Sequence, residues 1–343
     1  MHVLITGGAG FIGSNASLYY LNNGHMVTIL DNFSRAGSKL NVEWLIKNSK
    51  NKPKIIAEDL RSFTSSLKNV VKKSDLILHL AGQVAVTNSV INPREDFESN
   101  ALGTFNLLEA VRVSGNNPVI IYSSTNKVYG DLGNVGIVEE KTRYVFRDKA
   151  FGVSEEQNVD FHSPYGCSKG AADQYVRDYS RIYNLNTIVF RQSCIYGPRQ
   201  FGIEDQGWLA WFIIAIMNNK PITIYGNGKQ VRDVLYVDDL ISAYNSAFIN
   251  IKKTKGQIYN IGGGMKNTLS VWIEFKLLLE KFFQKEIKVS FSETRPGDQP
   301  IYISDIRKAW KHFSWKPEVT VEKGTEKIFK WVQENKIFFE EKA

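Results

Sequence analysis

The chain predicts an α/β fold: a Rossmann-type doubly wound parallel sheet with a second, smaller substrate-binding lobe. Three observations carry that reading. An apolar run at residues 2–5 feeds a glycine-rich turn, apolar runs alternate with amphipathic stretches through the first two thirds, and the composition is that of an ordinary globular protein. With 343 residues, 43% hydrophobic and 23% charged, there is room for two lobes around a sizeable core.

The first strand enters Thr6-Gly-Gly-Ala-Gly-Phe-Ile-Gly13, which opens a helix. In such a turn Gly7, Gly10 and Gly13 have separate tasks: the tight turn itself, close approach of backbone to a pyrophosphate, and tight packing of helix on strand. The pyrophosphate rests on free N–H groups at the helix start, beside Phe11 and Ile12. Residues 25–30 read as a second strand ending in Asp31, whose carboxylate accepts from the adenosine ribose and repels a 2′-phosphate, so NAD is expected over NADP. Arg35 is the opposing signal, because an arginine near this spot can hold that phosphate. Asn32 and Ser34 share the same loop and are grouped with the cofactor site. Residues 54–57, 76–80, 119–122 and 187–190 read as buried strands, and 62–72, 93–114 and 163–183 carry helical periodicity. That alternation gives a parallel sheet with helices on both faces. After Tyr196-Gly-Pro-Arg199 the pattern loosens. Residues 234–250 and 257–261 read as a further helix and strand returning to the sheet, which assigns 1–198 with 233–263 to an NAD-binding domain and 199–232 with 264–343 to the smaller lobe.

Other features narrow the class. No basic segment precedes an apolar stretch at the N-terminus, so no cleaved signal is expected. The longest apolar run, 208–217, is too short to span a bilayer and reads as a buried helix or a subunit contact. Cys167 and Cys194 fit a reduced cytoplasmic protein without disulfides. The net charge is +8, but lysines are scattered among acids, so the expected partner is an anionic small molecule rather than nucleic acid or membrane.

Tyr165 and Lys169, at i and i+4 on a predicted helix, share one face. Tyr122-Ser-Ser-Thr125 ends the fifth strand, where strand C-termini border the ligand crevice. A phenol acting as base at neutral pH needs its pKa lowered by about three units, roughly 4 kcal/mol. An adjacent ammonium and a positive nicotinamide ring both favour phenolate, and Thr125 would hydrogen-bond the same reacting hydroxyl. No metal-ligand spacing links His79 and His162, and no metal is expected.

The glycine turn, Asp31, Asp59, His79-Leu-Ala-Gly82, Asn100, Thr125, Tyr165-x-x-x-Lys169 and Tyr196-Gly-Pro-Arg199 together resemble the extended short-chain dehydrogenase/reductase superfamily of NAD-dependent epimerases and dehydratases, over essentially the whole chain. The resemblance implies bound NAD, with Asp59 and Leu60 by the adenine, Leu80, Ala81 and Gly82 along the cofactor backbone, and Asn100 and Ser123 completing that site. It implies a nucleotide-diphosphate sugar held by Arg232 and by Arg295 and Asp298 of Arg295-Pro-Gly-Asp298, with Gln83, Thr125, Asn126, Arg199 and Gln200 also on the substrate side. A guanidinium suits phosphate because its planar fork matches oxygens in pairs.

A narrower resemblance, in residues 122–131, 160–175, 205–208 and 226–235, is to the CDP-tyvelose (CDP-paratose) 2-epimerases. It implies a CDP-linked dideoxyhexose, a transient ketone at C2, a place in O-antigen sugar synthesis and a homo-oligomer, dimer or tetramer. The superfamily's 4,6-dehydratases follow this threonine with an Asp-Glu pair that shuttles protons; here Asn126-Lys127 stand instead. A 4-epimerase, a net oxidoreductase and a non-catalytic nucleotide-sensing or nucleic-acid-binding protein are the rival readings, and the intact Tyr–Lys pair speaks against the last.

Overall fold

A computed structural model of the chain describes residues 1–295 and 298–339. It begins β1 (His2–Thr6), α1 (Phe11–Asn22), β2 (Met26–Asp31), α2 (Ser38–Asn48), β3 (Lys54–Ala57), α3 (Ser65–Val71), β4 (Leu76–His79), α4 (Val86–Ile91), α5 (Pro93–Phe97), α6 (Gly103–Ser114) and β5 (Val119–Thr125). A hairpin of β6 (Ile137–Glu139) and β7 (Tyr144–Phe146) precedes α7 (Ser163–Tyr183), β8 (Asn186–Gln192) and β9 (Cys194–Tyr196). The remainder runs α8 (Trp208–Met217), β10 (Thr223–Tyr225), β11 (Val231–Tyr236), α9 (Val237–Ile249), α10 (Ile251–Thr254), β12 (Ile258–Ile261), β13 (Thr268–Ser270), α11 (Ile273–Phe283), β14 (Ser290–Ser292), β15 (Ile301–Tyr302), α12 (Arg307–Phe313) and α13 (Val321–Glu334).

Seven parallel strands form the main sheet in the order β3-β2-β1-β4-β5-β8-β12. The order reverses between β1 and β4, so the crevice opens where the glycine turn leaves β1. Alternate residues feed two cores. Val3, Ile5, Leu78 and Ile121 face one, with α1 and α9; Leu4, Ile77, Ile120 and Tyr122 face the other, under α3, α6 and α7. Burial on both faces is why these strands read as unbroken apolar runs.

Two stretches depart from the periodicity. The helix expected over 93–114 is broken by a π turn, Glu98–Leu102, between α5 and α6; the 3.6-residue period is nearly kept, so the pattern does not betray it. Residues 231–236, partly read as helix, are instead β11, which pairs with β9, β13 and β15 in a second sheet. This strand is buried on both sides, so its short apolar run carries no alternation. Of the two readings of the 208–217 segment, the buried helix is the one found: α8 is internal along most of its length, with Phe212 packed on Trp272 and Phe275.

A buried ion pair ties α7 to the sheet. Arg191 on β8 donates twice to Asp173, Nε to Oδ2 at 2.9 Å and Nη2 to Oδ1 at 3.0 Å, and Ser124 Oγ adds a third bond at 2.8 Å. Arg191 also donates to the Tyr129 hydroxyl at 3.1 Å, which donates in turn to Asn260 on β12 at 2.8 Å. Removing one partner leaves a buried charge, so Asp173→Ala is expected to cost about 3–5 kcal/mol in denaturant unfolding. The double variant Asp173→Ala/Arg191→Met should recover part of that loss. Equal losses for the single and double variants would contradict the account.

Candidate active site

The three glycines of the turn behave differently when a Cβ is built on each. On Gly7, at φ +69°, it would lie 2.7 Å from the Ala81 nitrogen; on Gly13, 2.3 Å from the Gly7 carbonyl oxygen. On Gly10 it would meet only that same oxygen, at 3.2 Å, leaving the space above it open. Gly7 thus lets β1 and β4 ends approach, Gly13 closes α1 on the turn, and Gly10 offers bare backbone. No side chain caps α1 and no acid lies in its first turn, so its N–H groups are available to an anion.

Asp31 accepts from the Ala9 N–H at 3.0 Å and the Phe33 N–H at 2.8 Å. Burial pushes its carboxyl up while those two bonds pull it down, upward overall. Asn32 is held by Ser34 on its carbonyl side, at 2.7 and 3.1 Å, and donates to Asp59 at 2.8 Å. Burial raises the Asp59 carboxyl, but the bidentate Arg61 guanidinium and the Asn32 amide outweigh it and hold it at about 2. Leu60 is buried against Gly103. At the end of β4, Gly82 passes Asn100 so closely that a Cβ would lie 2.4 Å from Asn100 Oδ1, a buried acceptor without a partner. An uncapped helix start, open backbone over Gly10 and this unsatisfied amide oxygen fit a dinucleotide. Arg35 lies exposed on the loop after β2, close enough to act on the Tyr165 phenol.

Tyr165 and Lys169 both project from the buried face of α7, and Thr125 ends β5. Burial pushes the Tyr165 phenol up to about 12; its hydrogen bond with Thr125 pulls it down, Asp96 pushes it up and Arg35 pulls it down. Lys169 Nζ donates to the Ser123 carbonyl at 2.5 Å and lies 4.5 Å from the Tyr122 ring centroid. Burial lowers its pKa to about 7 against the pull of Asp96 and Asp173. The expected ammonium beside the phenol is therefore corrected: Lys169 is turned to Ser123 and Tyr122, and the charges acting on the phenol are Asp96 and Arg35. Ser123 donates through its hydroxyl to Gln192 at 3.0 Å.

His79 is a structural pin. Its ring bonds Thr6 at 2.8 Å and Thr104 at 2.9 Å, and burial with the nearby Lys169 charge lowers its pKa to about 3. His162 meets Asp160 at 3.0 Å and approaches Asp131 at 4.0 Å, an exposed group able to offer three ligand atoms.

On the substrate side, Arg232 Nη2 donates to Asp298 Oδ1 at 2.9 Å, and Lys127 Nζ lies 3.6 Å from the same oxygen. Burial raises the Asp298 carboxyl, but Arg232 and Lys127 outweigh it and hold it below its ordinary value. Asn126 donates to Gln299 at 3.3 Å. These contacts bring Arg232, Asp298 and Asn126 against the strand end that carries Thr125. Arg295 pairs with Asp205 at 2.9 Å and lies 3.7 Å from the Tyr225 ring centroid. Pro296 and Gly297 of the same motif lie outside the described residues.

Arg199, Gln83 and Gln200 meet partners within the protein. Arg199 is only 2% exposed; it donates to Asn41 Oδ1 at 2.8 Å and the Leu40 carbonyl at 2.9 Å, and its guanidinium sits among Trp44, Phe201, Trp331 and Phe338. It fastens the C-terminal segment to α2 instead of facing a diphosphate. Gln83 folds back: its amide donates to the Ala85 carbonyl at 2.7 Å and Asp96 at 3.1 Å, and its oxygen accepts from the Ala85 N–H. Gln200 donates to the Ile195 carbonyl at 3.3 Å, and its oxygen is buried without a partner. Sequence reasoning missed Asp96, Ser168 and Gln299. The available signal for Asp96 is the spacing Asp96, Asn100, Thr104, a polar stripe running into buried Leu107 and Leu108.

Among the described residues no helix is long and apolar enough to cross a membrane. The family model described as GDP-mannose 4,6 dehydratase matches residues 4–328. The chain is 47% identical over 337 residues to the CDP-paratose 2-epimerase of Salmonella typhi, covering 96% of this chain and 99% of that one. It is 31% identical over 333 residues to a putative UDP-glucose 4-epimerase of Methanocaldococcus jannaschii, covering 97% and 99%. The structure of UDP-glucuronic acid 4-epimerase from Bacillus cereus, in complex with UDP-glucuronic acid and NAD, matches with a TM-score of 0.83 at 28% identity, covering 98% of this chain and 100% of that chain. The chain belongs to the GDP-mannose 4,6-dehydratase family of NAD-dependent epimerases and dehydratases, and it is an enzyme of that family.

Proposed function

We propose that the chain is a nucleotide-sugar 2-epimerase that interconverts CDP-paratose and CDP-tyvelose on tightly bound NAD. One observation carries the chemistry: the buried Tyr165 phenol lies close enough to the Thr125 hydroxyl at the end of β5 to be stabilised by it, with Asn126 and Lys127 next in sequence where a dehydratase needs two carboxyl groups. The sugar and its C2 position rest on the likeness to the Salmonella typhi protein.

NAD, when bound, supplies reversible oxidation of a carbinol carbon and a positive ring charge that favours phenolate. The glycine turn, Asp31, Asn32, Asp59 and Asn100 would hold it. Tyr165 takes the proton of the sugar 2-hydroxyl and later returns it, while Thr125 orients that hydroxyl. Arg232 and Arg295 exchange their carboxylate partners for the diphosphate, a tether about which the 2-keto sugar turns to present its other face. Elimination is disfavoured because the nearby carboxylate, Asp298, is held ionised by Arg232 and Lys127 and makes a poor acid. We assign residues 1–198 with 233–263 to the cofactor and 199–232 with 264–343 to the sugar nucleotide. A reducing cytoplasm suits the two free cysteines, and a homo-oligomer is expected.

Purified protein is expected to carry NAD and to convert CDP-paratose without added cofactor. Proton NMR at C2 and C4 against CDP-, UDP-, GDP- and dTDP-sugars tests this; change at C4 alone, or a steady nicotinamide absorbance change, would reassign the reaction.

Tyr165→Phe should lower turnover about 10²–10⁴-fold with little change in substrate affinity. Near-normal turnover of a C2-deuterated substrate by this variant would place the base elsewhere.

Asp31→Ala should weaken NAD and relax rejection of NADP, measured by titration of both cofactors. Equal affinity of the unaltered enzyme for the two would make Arg35 the phosphate ligand.

A further inference from the structure

Behind Tyr165 and Lys169 lies a carboxylate that the proposed reaction does not use. Asp96, on α5, has no exposed surface. Its donors are all neutral: Ser168 Oγ on Oδ2, and Gln83 Nε2 at 3.1 Å and Asn100 Nδ2 at 3.2 Å on Oδ1. Each donor leads into the site. Ser168 sits between the catalytic tyrosine and lysine on α7, where it also receives Asn100 at 3.0 Å. Gln83 follows Gly82 and clasps the Ala85 backbone. Asn100 keeps its oxygen free beside Gly82.

Two carboxylates act on Lys169, Asp96 and Asp173. Asp173 is neutralised by the bidentate Arg191 pair. No cation is hydrogen-bonded to Asp96 among the described residues; burial pushes its carboxyl up, while the Ser168 hydroxyl and the Lys169 charge pull it down, so Lys169 is the cation it acts on. The other groups facing Lys169 are His79 from β4, uncharged near neutrality, and Tyr122 from β5. Arg35 acts on Tyr165 and is not among the groups acting on Lys169.

Building on the epimerase reading, we propose that Asp96 is a positioning residue for the Tyr165–Lys169 pair: its buried charge keeps the Lys169 ammonium protonated, and its hydrogen bonds lock α7 to the 82–85 turn. The sign follows from the lysine. Its charged form lies on the acid side of its pKa, and a nearby negative charge extends that form to higher pH. Removing the charge lowers the lysine midpoint, and lowers the phenol too, since Asp96 also pushes the phenol up.

The test is a titration of NAD-loaded enzyme labelled with [13Cε]lysine, Lys169 being identified from the spectrum of Lys169→Arg. Asp96→Asn should move the Lys169 midpoint down by roughly one pH unit, and both limbs of the kcat profile should move to lower pH with it. Ser168→Ala keeps the charge and should leave the Lys169 midpoint in place while kcat falls less than tenfold. An unchanged Lys169 midpoint in Asp96→Asn would overturn the proposal. Should that variant not fold, the unaltered enzyme labelled with [13Cγ]aspartate decides: Asp96 must be ionised from pH 6 to 8, and a protonated Asp96 there would also overturn it. The titrations need no substrate, so they stand apart from the epimerase reading, which fails separately if the unaltered enzyme converts no CDP-sugar.

Discussion

Polar side chains buried between α7 and the sheet impose the constraint on which the site depends. Tyr165, Ser168, Lys169 and Asp173 recur at three- and four-residue intervals, so one helix face carries them all into a region with little water. A buried polar group without a partner is costly, and a buried charge more so. Each therefore has a fixed answer: Thr125 for Tyr165, Asp96 for Ser168, the Ser123 carbonyl for Lys169, Arg191 for Asp173. Because those partners sit on β5, β8 and α5, satisfying them also sets the height and rotation of α7 over the strand ends. The geometry that makes chemistry possible is the one that folding already requires.

Two guanidinium groups outside the main sheet are each held by a carboxylate. Arg232 on β11 and Arg295 beyond β14 each have a carboxylate to face, Asp298 and Asp205. On the proposed reading, a guanidinium so held would keep its orientation and exchange a single carboxylate for a doubly charged group that offers more oxygens. Arg199 shows the contrasting use. Four aromatic rings and two acceptors on α2 enclose it, and its charge serves the attachment of the C-terminal segment.

Much of this was legible in the sequence, for identifiable reasons. The glycine turn, Asp31, and the Tyr165 and Lys169 pair are encoded by local spacing, which a linear reading resolves. Asn126 and Lys127 were likewise visible as the place where a carboxyl pair is missing. What escaped depends on contacts distant in sequence. Asp96 looks like a solvated charge at a helix start until the fold places it against Ser168, 72 residues on. Gln299 meets Asn126 across 173 residues. Arg199 misled because an arginine after Gly-Pro at a strand end looks like a phosphate ligand, and nothing local announces Trp44 or Trp331. Residues 231–236 misled for the same reason: a strand buried on both sides shows neither alternation nor a helical stripe.

Burial in the protein leaves the phenol at about 12 and the lysine near 7, the reverse of what a resting base requires. Burial drives both toward neutrality, the phenol by holding its proton and the lysine by shedding one. On the proposed mechanism such a tyrosine is no base by itself and would become one only when further positive charge enters the crevice beside it. That dependence would make proton removal contingent on an assembled site, so that a sugar bound without the cofactor would meet a protonated phenol. The low dielectric that disables the pair at rest is what makes its basicity sensitive to a single added charge, because the same charge in water would be screened to a fraction of its effect.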